Sequence, residues 1–155
     1  MMDTKIRGEE MSRTISIDVR LNPDNRISAQ SILETLIGSG WNPMNNGLIN
    51  YLPANDKDMY NWTKEEVSLG KLLKIVDLKE REQEVIGVNL YWGNSNIGIS
   101  LLIFNLTEVS FDLNINRKYI DDATQLIDFN WYALRILPVL CKAYNVSQYK
   151  FEFIY

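Results

Sequence analysis

Between Glu84 and Asn116 the chain alternates in steps of two. Ile86, Val88, Leu90 and Trp92 form one apolar comb, Ile97, Ile99, Leu101 and Ile103 a second, and Val109, Phe111, Leu113 and Ile115 a third. Small or polar residues stand between the teeth, among them Gly87, Asn89, Gly98, Ser100, Ser110, Asp112 and Asn114. Successive side chains of a strand point to opposite faces, so each comb predicts a strand with one buried face. Gly93-Asn94-Ser95-Asn96 and Asn105-Leu106-Thr107 are short and turn-forming, which joins the three into an antiparallel meander.

The same period recurs at both ends. Ile15, Ile17, Val19 and Leu21 predict a first strand, ended by Asn22-Pro23-Asp24-Asn25, because proline cannot donate to a ladder. Tyr149, Phe151, Phe153 and Tyr155 predict a last one. Asn45-Asn46-Gly47 turns the chain into a short peripheral strand at Leu48–Leu52.

Helical spacing appears in three places. Ser28 is suited to cap a helix running to Ile37, with Ile27 stapled against Ile32, and with Leu33, Leu36 and Ile37 also inward. Gly38 and Gly40 stop it. A second helix starts at Thr63, where Thr63 and Glu66 have capping-box spacing, or at Ser68. It runs to about Glu80 with Val67, Leu72, Leu73, Ile75 and Val76 inward. Asp128 caps a third, carrying Phe129, Ala133, Ile136, Leu137, Leu140 and Tyr144 on its buried stripe. Trp131 and Tyr132 lie off that stripe, and core packing accounts for them better than a contact role. Pro138 removes the hydrogen bond to the Leu134 carbonyl, so this helix is expected to kink or split. Asn116–Gln125 reads as a charged loop.

The order β-α-β-α-β-β-β-α-β predicts an α+β fold. It is a two-layer sandwich in which a mainly antiparallel sheet, built on the central three-stranded meander, carries its helices on one face. Residues 1–12 are polar and aperiodic, and are expected to be a flexible arm. Residues 13–155 make a single domain, as suits a chain of 155 residues.

Composition narrows the chemistry. The net charge of −4 disfavours nucleic acid and anionic membranes and suits a basic protein partner. The N-terminal stretch has no apolar signal core and no run is long enough to span a bilayer, so the expected location is cytoplasmic. Histidine is absent, which removes the commonest general base and metal ligand. Cys141, the single cysteine, lies near a helix C-terminus, where the dipole opposes a thiolate, and is read as a buried inert thiol. No metal or cofactor site and no catalytic residue is assigned. Asp56 with Asp58, and Asp121 with Asp122, are expected to be solvated loop charge, since two acids make no cage. Gly38-Ser39-Gly40 follows a helix instead of preceding one, so it is a helix stop and no phosphate cradle.

Two features suggest contact with other molecules. Asp56, Asp58, Tyr60, Trp62, Glu65 and Glu66 bring aromatics and carboxylates together, the composition of a patch for a basic protein surface. Tyr91, Leu102, Phe104 and Ile154 point to the sheet's second face, where they would form an exposed patch suited to a homodimer, unless the 41–62 loop folds over it. The function expected is therefore that of a small non-catalytic interaction protein. Its most concrete form is an immunity or antitoxin-like protein neutralising a basic toxin such as a nuclease. The alternative is a ligand-binding or enzymatic domain with a pocket between sheet and helices, lined by Trp92, Tyr91 or Trp131.

Overall fold

Alternation in the sequence becomes one large sheet. The computed structural model describes residues 14–154, and within them lie three helices and eleven strands, mostly antiparallel. In chain order these are β1 (Thr14–Leu21), α1 (Ala29–Ser39), β2 (Trp41–Asn42), β3 (Met44–Asn45), β4 (Leu48–Tyr51), β5 (Thr63–Glu65), α2 (Leu69–Arg81), β6 (Ile86–Trp92), β7 (Gly98–Asn105), β8 (Glu108–Ile115), β9 (Tyr119–Asp121), β10 (Leu126–Ile127), α3 (Phe129–Ala143) and β11 (Val146–Ile154). The arm expected over residues 1–12, and Tyr155, lie outside the described residues.

The sheet runs β11-β1-β8-β7-β6-β4-β3, with β2 paired to β6 and β5 to β4. Its register aligns the apolar teeth. One row crosses six strands as Phe151, Ile17, Phe111, Leu101, Val88 and Tyr51. All but Phe151 are buried, and onto this face pack Ile32, Leu33 and Leu36 of α1, Leu72 and Val76 of α2, and Tyr132, Ile136 and Leu140 of α3. Each such apolar side chain contributes about 1.5–3 kcal/mol on burial, so this layer is the main source of stability. The adjacent residues form the opposite face, where the row Glu152, Ser16, Asp112, Ser100 and Asn89 is polar throughout.

Local signals set most boundaries, and tertiary contacts moved some. The Ser28 hydroxyl accepts from the Ser31 amide, and the Ser31 hydroxyl accepts from the Ser28 amide, so α1 starts as expected. It continues through Gly38 and ends at Gly40, where φ is +128°. There a Cβ would meet the Trp92 ring at 2.8 Å, so only glycine fits. Thr63 starts no helix. It pairs with Tyr51 as part of β5, and Ser68 caps α2 instead. Within the stretch Asn116–Gln125, expected to be a loop, lies β9, which forms a small hairpin with β10 just beyond it. Helix α3 passes unbroken through Pro138; the carbonyl that the ring leaves without an amide donor is that of Leu134, a residue on the solvent side of the helix. Cys141 is exposed, against expectation, on the solvent side of α3. Tyr132, in contrast, is fully buried, and its hydroxyl accepts the Lys118 amide at 2.8 Å.

Candidate functional site

The loop between β4 and β5 departs most from ordinary backbone geometry. Asn55, Lys57, Asp58 and Tyr60 all have positive φ, between 54° and 63°. Asparagine and aspartate tolerate this region, but a lysine or tyrosine there costs about 1–2 kcal/mol each. Such conformations persist when surrounding contacts over-determine them.

Lys79 supplies those contacts. It is 1% exposed, and its ammonium donates to the Pro53 carbonyl at 2.7 Å and to Asp56 Oδ1 at 3.1 Å, with Glu84 Oε1 at 3.2 Å. Three donors thus have three oxygens. Asp56 then works as the hub of the loop: Oδ1 also accepts the Asp58 amide, and Oδ2 the Asn61 amide. Burial acts to raise its carboxyl pKa, yet the Lys79 hydrogen bond, those two amides and the Lys79 charge outweigh this and hold it below the usual range. The loop's far side is tied down by Glu84, which accepts the Asn55 amide, and by Asp58, which accepts the Val85 amide at 2.8 Å.

The six candidate residues therefore fall into different roles. Asp56 is no surface charge; its carboxylate is spent on Lys79 and the loop amides. Asp58 is exposed while holding Val85. Tyr60 is 44% exposed, and Met59 beside it, which sequence reading passed over, is 70% exposed. Trp62 lies partly exposed against the backbone of Gly87, where a Cβ would sit 2.8 Å from its ring and 2.7 Å from Leu52. Glu65 accepts from the Tyr51 hydroxyl at 2.8 Å, and Glu66 faces solvent. With Asp56 neutralised, Asp58, Glu65 and Glu66 stand among Lys57 and Lys64, so the surface is aromatic and nearly charge-balanced.

Lys79 was missed because a lysine on a helix reads as solvated. The signal was its spacing: Leu72, Val76 and Lys79 lie at intervals of four and three, along one buried stripe.

The second face of the sheet is not one apolar patch. Leu52 and Trp62 cover Gly87, and Leu102 beside it is half-buried. Phe104 and Ile154 are exposed at opposite ends of the sheet, with the polar row between them. Within this face Ser100 donates to Asn89 and Ser110 to Asp18. Burial, and then the charge of Asp18, push the Asp112 carboxyl above its usual range. A groove of about 1010 Å³ opens there, with Asp112, Asn114, Asn116, Lys118, Tyr119 and Asp122 among its lining.

Trp92 and Trp131 do not frame that groove. With Trp41 they pack edge-to-face, at centroid distances of 5.2 to 6.4 Å, and the Arg135 guanidinium lies 4.1 Å from the Trp131 ring. Asp121 is engaged by its own hairpin, accepting from Ala123 and Thr124. Among the described residues no cluster of three or more acids or thiols is placed to hold a metal ion, and no helix is long and apolar enough to cross a membrane.

Fold and site together define an α+β domain carrying a braced aromatic loop. Comparison with protein-family models, curated proteins and solved structures finds no match.

Proposed function

We propose that the chain is a non-catalytic interaction protein, and that the loop from Asn55 to Glu66 is its contact surface. The observation that carries this reading is the pairing of strain with display. Four left-handed residues, braced by a buried ion cluster, hold Met59 and Tyr60 out to solvent. A loop held rigid before binding loses less conformational entropy when a partner arrives, and exposed aromatics are the usual anchors of such contacts. Steering comes from the whole chain's charge of −4 more than from the loop, so the partner favoured is a basic protein. The most concrete version is a neutraliser of a basic toxin such as a nuclease, held in the cytoplasm.

The test uses the product of the adjoining gene, purified and titrated calorimetrically against this chain. A basic protein bound by the wild type, with affinity lost in a Met59→Ser, Tyr60→Ala variant of unchanged melting temperature, supports the reading. Binding that survives both substitutions defeats the loop assignment, and an adjoining metabolic enzyme with no affinity defeats the neutraliser.

A second reading, a domain holding a small polar molecule, draws support from the groove on the second face, where Asp112, its carboxyl pKa raised by burial and by Asp18, sits beside amides, Lys118 and Tyr119.

A further inference from the structure

Among the described residues strand β11 forms a long, open edge of the sheet. It pairs with β1 on one side and, among the described residues, with no strand on the other. The sheet's opposite end is closed off by β3 and β5, of two and three residues, whereas β11 has nine. Proteins usually blunt a long edge with proline, a bulge or an unmatched charge. β11 has no proline, and its one irregularity falls near Ser147, before the straight run from Gln148 to Ile154. On the helix side of that run Tyr149, Phe151 and Phe153 are 53%, 42% and 39% exposed, and the Phe129 ring of α3 lies 4.8 Å from that of Phe151. On the other side stand Lys150 and Glu152.

We propose that β11 pairs antiparallel with β11 of a second copy of this chain, with Phe151 on the two-fold axis. The charges select both the occupant and the register. Two antiparallel copies in one continuous sheet keep their helices on the same side only if the axis passes through a residue, since a one-residue slip exchanges the faces. An axis at Lys150 or at Glu152 sets like charges directly opposite each other. An axis at Tyr149 sets Lys150 against Gln148 and Glu152 against Val146, with no ionic partner. An axis at Phe151 sets Lys150 against Glu152 of the second copy, twice by symmetry, and Tyr149 against Phe153 on the aromatic side. Within one chain Lys150 and Glu152 reach each other only at 3.9 Å, both well exposed, so the intermolecular pairs replace a weak contact. The half-covered aromatic rows then close over one another between the two α3 helices.

Sedimentation of the full chain at roughly 100 µM tests this, since a homodimer's population follows protomer concentration. The wild type is expected to be dimeric. Lys150→Glu or Glu152→Lys alone sets like charges opposite each other and weakens association roughly tenfold or more. An equimolar mixture of these two variants restores the dimer, because each supplies the charge that the other lacks. Circular dichroism checks that each variant is folded. A monomeric wild type, single reversals that leave association unchanged, or a mixture that stays dissociated would each overturn the proposal.

Discussion

Replacing Lys79 with methionine keeps an unbranched side chain of similar length and removes only the charge and its three donors. The stem still fills its place along the buried stripe of α2. What changes is Asp56, whose side chain is 1% exposed and retains only the amides of Asp58 and Asn61 as donors. Removing one partner of a buried ion pair costs about 3–5 kcal/mol, because the remaining charge is stranded away from water. A domain of this size has about 5–15 kcal/mol in total, so roughly a fifth or more would be lost. The melting temperature should fall by about 6–20 °C. Urea unfolding followed by tryptophan fluorescence gives the free energy, and circular dichroism the melting point.

Acidity supplies an internal control on the same variant. In the wild type the Asp56 carboxyl is held below its usual range, so its contribution is complete above about pH 4 and fades as pH falls through that depressed value. Without Lys79 the hydrogen bond and the charge that lower this carboxyl are gone, and burial is opposed only by the Asp58 and Asn61 amides. The deficit of Lys79→Met should therefore be large at neutral pH and shrink on acidification. Adding Asp56→Asn should recover part of the loss, since the stranded charge is gone, and the non-additivity is expected to reach roughly 0.5–3 kcal/mol. A loss below about 1 kcal/mol at pH 7 is what a solvent-exposed pair gives, and it would refute the picture of a dry, loop-bracing cluster.

Other perturbations probe the same neighbourhood. Lys57→Gly relieves a φ of +54° at an exposed position and should raise stability by up to about 1 kcal/mol, measurable by urea unfolding. A loss there would mean that the backbone is unstrained. Gly87→Ala drives a methyl into Leu52 and Trp62 and should cost about 1–3 kcal/mol while changing tryptophan emission. Burial and the Glu65 hydrogen bond push the Tyr51 phenol up to about 12. Tyr132 is also raised by burial, so an ultraviolet titration should find at least two late tyrosines, of which Glu65→Gln moves one, Tyr51, earlier. Because this pKa is raised on folding, the phenol's contribution is full below about pH 10 and disappears as pH rises towards 12.

Much of the architecture was legible in single residues. The combs around Val88, Leu101 and Phe111, and the caps at Ser28 and Asp128, report conformations decided by neighbours a few positions away. The loop at 55–66 was legible as a polar-aromatic segment, but the fate of its members was not. Asp56 and Glu66 look equally soluble in sequence, yet one is locked under Lys79 and the other faces water. Cys141 went wrong for a related reason. Its apolar neighbour Leu140 is buried, but one step along a helix turns a side chain by about 100°, to the solvent side.

The chain by itself determined its long strands, most helix boundaries and the apolar layer beneath the helices. Periodicity and capping act within a turn or a pleat and do not depend on what lies opposite. Tertiary structure alone decided that Thr63 pairs with Tyr51 instead of starting a helix, that three tryptophans close on Arg135, and that β11 is left at an edge with complementary charges two residues apart. Each of these depends on which surfaces meet across tens of residues. Burying a charge is tolerable only where the fold delivers its counter-charge, as β4 and the start of β6 bring Pro53, Asp56 and Glu84 to Lys79.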